Sequence, residues 1–417
     1  MSIGLDAYEP FVGAATIEEL RLLGEQLRDR RVQHVNSTAV GGGVAEILNR
    51  LIPLLREVGI DARWDVIHGG EEFFAVTKGI HNALHGQPVT LTEHDFQIFR
   101  DTTAANLQTL ALCDDIVFIH DPQPAGLIER RARGSRWIWR CHIDLSAPSL
   151  QVWDFLRPWV ERYEVAVFSA PQFSRALPID QVLIAPSIDP LADKNRELDA
   201  RTVESVVTSL GLDPSRPLVT QVSRFDRLKD PLGVIEAYRL AKKYNDCQLL
   251  LVGGSATDDP EGAQVLAECR ERAAGDPDIH VVELPPTANI EINAIQRAST
   301  VILQKSLREG FGLTVSEALW KGKPVIAGAV GGIPLQITHR YSGILTHTIE
   351  GTGYWIKQLL NAPDFARRLG ENGREHVRYN FLLTRHLRDY LLLFLYLGHL
   401  GENVITLDGG GPRGVRT

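Results

Sequence analysis

The sequence predicts an α/β protein of two domains, each a parallel sheet wound with helices, facing one another across a cleft and followed by C-terminal helices. Three observations carry this. Apolar, β-branched runs alternate with helical segments in two series of similar size. A polar stretch with several prolines, residues 186–217, separates the series and holds one short helix at 203–210. Residues 354–400 then read as nearly unbroken helix.

In chain order, residues 16–30 form an amphipathic helix with Ile17, Leu20, Leu23 and Leu27 on one face. A strand at 32–35, a loop ending in three glycines and a helix at 44–58 make the first strand-loop-helix unit. A strand at 62–67 precedes a mostly helical stretch, 71–110, interrupted near Gly86–Pro88. Strands follow at 115–119, 137–140, 165–168 and 182–185, with a helix from about Ala125. The second series places strands at 218–222, 248–252, 280–284, 301–304, 325–327 and 343–345. The expected domains are 1–210 and 211–385, then a helix at 386–405 crossing back to the first domain and a loose, glycine-rich tail at 406–417.

Composition narrows the function classes. A chain of 417 residues exceeds one ordinary core. Its 44% hydrophobic and 23% charged residues are globular in character. A net charge of −8 argues against nucleic acid or an anionic membrane as partner, so any phosphate site is local. Four cysteines without a C-x-x-C pair fit a reducing cytoplasm, and the N-terminus lacks the pattern of a signal peptide. The apolar run 390–400 is too short to span a bilayer. Its segment 391–397 suits either the core or a homodimer interface.

The most informative stretch is 307–324, a loop and helix between two apolar strands. Gly310 and Gly312 let successive N–H groups turn toward one point at the start of a helix, where anions and sugar hydroxyls bind. Glu309 and Glu317 bracket those donors and accept hydrogen bonds from diols. Such a pocket suits a ligand that is part phosphate and part sugar. Arg224 and Lys229 follow the first strand of the second series and can converge to neutralise a diphosphate, although basic residues at strand ends are usually solvated. Gly41-Gly42-Gly43 opens a helix after a strand, either as a ligand cradle or as a tight turn, and does not match G-x-G-x-x-G. His142 beside Asp144, and His120 beside Asp121, end neighbouring strands, which in an open sheet face the ligand crevice. Gly331-Gly332 is a turn near the same cleft. No third ligand completes a His/Asp metal site, and no serine sits in G-x-S-x-G.

Together these residues resemble the retaining nucleotide-sugar glycosyltransferases built from two Rossmann-like domains, the GT-B architecture. The stretches 34–47 (HVNSTAVGGGVAEI), 120–125 (HDPQPA) and 139–146 (WRCHIDLS) are similar to trehalose glycosyltransferring synthases. The resemblance implies transfer of glucose from a nucleoside-diphosphate glucose to free glucose, giving α,α-trehalose reversibly. Retaining trehalose phosphorylase is the main rival, and an NDP-glucose-dependent α-glucosyltransferase with another acceptor is a further one. By the same resemblance Arg224, Lys229, His142 and Glu309 carry catalysis. Arg224 and Lys229 would hold the donor diphosphate, Glu309 with the amides of Gly310, Phe311, Gly312 and Leu313 the donor sugar, and Glu317 the ribose. His142 would sit at the sugar's C6 side, with Gly42 and Gly43 lining the other domain. Asp121, Gln123 and Asp144 would hold acceptor glucose. Neither a tightly bound cofactor nor a divalent metal is implied. The base would lie near Leu284-Pro285-Pro286.

Overall fold

The computed structural model describes residues 3–39, 43–254 and 260–400. The expected tail at 406–417 lies outside them, as does Gly42. Two six-stranded sheets form the architecture. The first contains β1 (Arg31–Asn36), β2 (Asp61–Val66), β3 (Ile116–His120), β4 (Arg136–Arg140), β5 (Val165–Phe168) and β6 (Asp180–Leu183), in the order β2-β1-β3-β4-β5-β6. The second contains β7 (Leu218–Val222), β8 (Gln248–Gly253), β9 (Ile279–Glu283), β10 (Val301–Gln304), β11 (Val325–Gly328) and β12 (Ile344–Thr346). Its order is β9-β8-β7-β10-β11-β12. Every pairing is parallel.

Helices cover both faces of each sheet, which is why central strands such as β3 and β10 are wholly buried and read as unbroken apolar runs. Along β3, Ile116 and Phe118 pack into one core while Val117 and Ile119 pack into the other. The strand order reverses between β1 and β3 in the first sheet and between β7 and β10 in the second. Ligands bind at such switch points, beyond the carboxyl ends of the strands.

Three local findings differ from the sequence reading. Helix Leu150–Val160, with Pro158 inside it, was not expected. The segment after Pro124 is only a 3-10 turn, Ala125–Arg130. Helix Ala200–Ser209 packs through Val207 against Leu218, Leu250 and Ile295 of the second unit. A first domain running to residue 210 therefore takes in a helix whose apolar face is buried elsewhere.

The C-terminal helix begins at Leu383, not 386, and runs to Gly398. Its Leu387, Leu391, Phe394 and Leu397 are at most 1% exposed and pack with Leu48, Leu51 and Phe118 of the first unit. Full burial of each such side chain contributes about 1.5–3 kcal/mol. Segment 391–397 thus serves the core, with Leu392 and Tyr396 exposed on its outer side. Where the chain returns, Ile188 N–H donates to Phe381 O (2.8 Å) and Leu383 N–H to Ile188 O (3.0 Å). Arg385 also donates to the carbonyls of Ala185 and Pro186. The two crossings between the units are therefore tied together. Among the described residues, no helix is long and apolar enough to cross a membrane.

Candidate active site

A cleft of about 960 Å³ lies between the two sheets and takes its walls from both. On the second unit's side, the loop after β10 enters helix Leu313–Trp320 through Gly312, whose φ of +81° is left-handed. Among the described residues no side chain caps that helix; Val315 N–H turns back to Gly312 O at 2.9 Å, and the N–H groups before it can meet a ligand. Gly331, at φ +53°, presses on the same loop: a methyl there would lie 1.5 Å from the carbonyl oxygen of Glu309, so only glycine fits. Gly332 N–H donates to Gly310 O at 3.0 Å. Buried Gln336 completes the support, donating to Phe311 O (2.5 Å) and accepting from Ser316 Oγ (2.6 Å).

Glu309 is held by three donors to one carboxylate oxygen. Lys229 Nζ lies at 2.6 Å, Ser306 Oγ at 3.0 Å and Gln304 Nε2 at 3.2 Å. Gln304 also accepts from Thr314 Oγ1 at 3.1 Å, joining the strand end to the helix. Lys229 is fixed by its own 3-10 turn, Arg227–Lys229, which Asp226 caps through Leu228 N–H at 2.7 Å. Gln221 then donates to Lys229 O at 3.0 Å. Arg224 and Lys229 both line the cleft but do not share one anchor. Lys229 pairs with Glu309, whereas Arg224, 63% exposed at its side chain, leans on Asp226 at 3.6 Å.

The first unit supplies a different wall. His142 and Gln123 line it, with Gly43 where the units approach: a methyl there would lie 3.4 Å from Leu313 Cδ1. Asp121, at φ +67°, also lines the cleft, and its Oδ1 accepts from His142 N–H at 2.8 Å, so it orients the histidine loop as well. Burial pushes its carboxyl up to about 6. Asp144, expected at the acceptor, does not line the cleft in this structure and accepts from Ser146 N–H at 2.8 Å, closing a turn. Its charge still reaches His85, whose proton affinity it raises against the larger lowering by burial.

Sequence reasoning missed His81 and His85, one turn apart near the end of helix Glu71–Leu84, with rings 4.8 Å apart. Both line the cleft. The i, i+4 spacing of two histidines was the available signal. Burial, then His85 and Arg224, push His81 down to about 4, so this imidazole is neutral near pH 7. Lys194 was also missed; it bonds Glu46 at 2.9 Å and lines the cleft beside Glu317. Beneath Glu317, Lys321 donates to Glu317 O and Asn195 Oδ1, both at 3.1 Å. Across the cleft, Arg308 donates to His85 O and Gln172 Nε2 to Gly331 O at 2.6 Å.

Two family models match the chain: trehalose synthase, N-terminal domain, over residues 34–175, and glycosyl transferases group 1 over residues 204–376. A trehalose synthase of Rubrobacter xylanophilus is 46% identical over 401 residues, 94% of this chain and 96% of that protein. The chain belongs to the trehalose synthase family. Its likeness to a trehalose phosphorylase of Pleurotus pulmonarius is more distant, 31% over 89% of this chain and 58% of that protein. The fold is that of the GT-B glycosyltransferases. A solved structure described as trehalose-6-phosphate from E. coli bound with UDP-2-fluoro glucose matches at a TM-score of 0.71, covering 87% of this chain and 98% of that one, at 14% identity. Within the family, the loop pair 224–229 and 309–317 falls in the group 1 segment, and the histidine wall falls in the N-terminal one.

Proposed function

We propose that the protein is a retaining glucosyltransferase that joins the glucose of a nucleoside-diphosphate glucose to free glucose, forming α,α-trehalose and the nucleoside diphosphate, and that it also runs in reverse. The observation that carries this reading is Glu309, held by Lys229, Ser306 and Gln304 beside an uncapped helix N-terminus. One carboxylate oxygen is committed to those donors, which leaves the other to accept hydroxyls of the transferred sugar together with amides from Gly310 to Leu313. Lys229 and Arg224 neutralise the diphosphate as the glycosidic phosphate bond breaks, the point at which charge develops. Glu317 takes the ribose, Lys194 stands beside it, and the base lies along Leu284-Pro285-Pro286, which also line the cleft.

The neutral wall takes the acceptor. Gln123, His81 and His85 offer uncharged hydrogen-bonding groups and Asp121 a carboxylate acceptor, a set suited to the hydroxyls of a sugar. The acceptor hydroxyl attacks the face from which the phosphate departs and passes its proton to a phosphate oxygen, so no protein nucleophile takes part. His142 sits beside the transferred sugar.

Incubation with ADP-, UDP- or GDP-glucose plus glucose, followed by NMR of the products, tests the reading. The expected product is α,α-trehalose with one equivalent of nucleoside diphosphate. Trehalose breakdown with inorganic phosphate alone, and none with nucleoside diphosphate, would replace the synthase by a phosphorylase.

A further inference from the structure

Three histidines form a hydrogen-bonded file leading from the cleft into the core. His34 lies in β1, His120 ends β3 and His142 follows β4, on three adjacent strands. His34 Nδ1 is 3.0 Å from His120 Nε2, and His120 Nδ1 is 3.2 Å from His142 Nε2. The rings are stacked, with centroids 5.3 and 5.5 Å apart. Only His142 reaches the cleft; His34 is 0% and His120 2% exposed.

Chemistry allows few proton arrangements in such a file. Burial holds all three imidazoles neutral, and the fully buried guanidinium of Arg140 further disfavours a positive charge on His120 and His142. Each neutral ring has one N–H and one lone pair. If His120 donated at both ends it would be a cation, and if it accepted at both ends it would be an anion. Two registers remain, both protons pointing toward the cleft or both pointing away from it.

The far end decides between them. His34 Nε2 is buried and has no hydrogen-bond partner among the described residues. In the register pointing away from the cleft, that atom is an N–H with no acceptor, the rarer kind of orphan in a folded protein. In the register pointing toward the cleft it is only an unused lone pair.

We infer that His34 and His120 are positioning residues that fix His142 as a neutral Nδ1–H donor facing the cleft. The inference rests on the reading above that His142 lies beside the transferred sugar. His142 therefore donates to a substrate oxygen and cannot take the acceptor's proton, because its remaining nitrogen already carries one.

The decisive measurement is a long-range ¹H–¹⁵N correlation spectrum of the full chain labelled with ¹⁵N-histidine, with His142 identified by the signals lost in His142→Asn. A protonated Nδ1 and an unprotonated Nε2 are expected for His142; an Nε2–H tautomer would overturn the inference. Kinetics give a second readout. His34→Asn keeps an N–H donor at the δ position, whereas His34→Phe keeps the stacking on Phe118 and loses the donor. The Phe variant should lose about five- to tenfold in kcat, with KM for glucose little changed, and the Asn variant should recover most of that loss. Equal kcat in the two variants would sink the positioning role. Absence of trehalose formation by the unaltered protein would instead strike the proposed function, and the spectrum would still decide the tautomer.

Discussion

The two walls of the cleft are made from the same kind of sheet and differ in charge. The second unit's wall is built on ion pairs: Lys229 with Glu309, Arg224 with Asp226, and Lys305 with Asp230 behind them. The first unit's wall is built on imidazoles that burial keeps neutral, His81, His85 and His142. One wall suits a group that leaves as an anion, and the other suits an uncharged sugar. The difference shows that a shared topology sets where a ligand lies, while the residues at the strand ends set what it is.

The contrast can be broken most directly at Lys229. Lys229→Met should lower kcat by about 10²–10³-fold, the usual cost of removing one group that stabilises developing charge. A loss no larger than that of a neutral-wall variant such as His81→Phe would erase the distinction. Arg224→Ala should cost about 10–10²-fold, because this guanidinium is more exposed and, in the proposed complex, would share the diphosphate with Lys229. That loss should shrink as salt is raised, and a salt-independent loss would assign Arg224 a packing role.

The neutral wall has its own signature in stability. Burial pushes His34 down to about 3 from 6.5, so between those values the folded imidazole stays neutral while the unfolded one gains a proton. Stability therefore falls as pH drops below about 6.5. His81, His85, His120, His142 and His386 shift in the same direction. Asp121, raised to about 6, acts oppositely below that pH and is outnumbered. Denaturant unfolding between pH 5 and 6.5 should show the slope, and His34→Phe should reduce it by about one proton, about 1.4 kcal/mol per pH unit. An unchanged slope would mean that His34 is not kept neutral. The smallest effect belongs to Asp144→Ala, which should cost about 1 kcal/mol of stability with KM for glucose unaltered. A raised KM would return Asp144 to the acceptor pocket.

Much of this molecule was legible in its sequence. Strands 218–222 and 301–304 match to the residue because β-branched runs covered on both faces have sharp polar ends. The loop at 309–317 was legible because glycines, an acid and a helix start stand together in the chain. Partnership at a distance was not. Lys229 and Glu309 are 80 residues apart, and the sequence suggested instead that Lys229 would join Arg224. The histidine file joins residues 86 and 22 positions apart, which only strand order brings together. Helix Leu150–Val160 was obscured by Pro158 and by aromatic residues that favour strands as readily as helices.

The final helix has a consequence for how the chain is made. Phe118, Leu48 and Leu51 are covered by residues 387–397, which a ribosome delivers only after the whole second unit. The first unit must therefore wait with part of its apolar face open while the second one folds, and a chain released before Leu383 would carry that face permanently exposed. In biogenesis this helix acts as a seal, closing the first unit's apolar face only once residues 387–397 have been made.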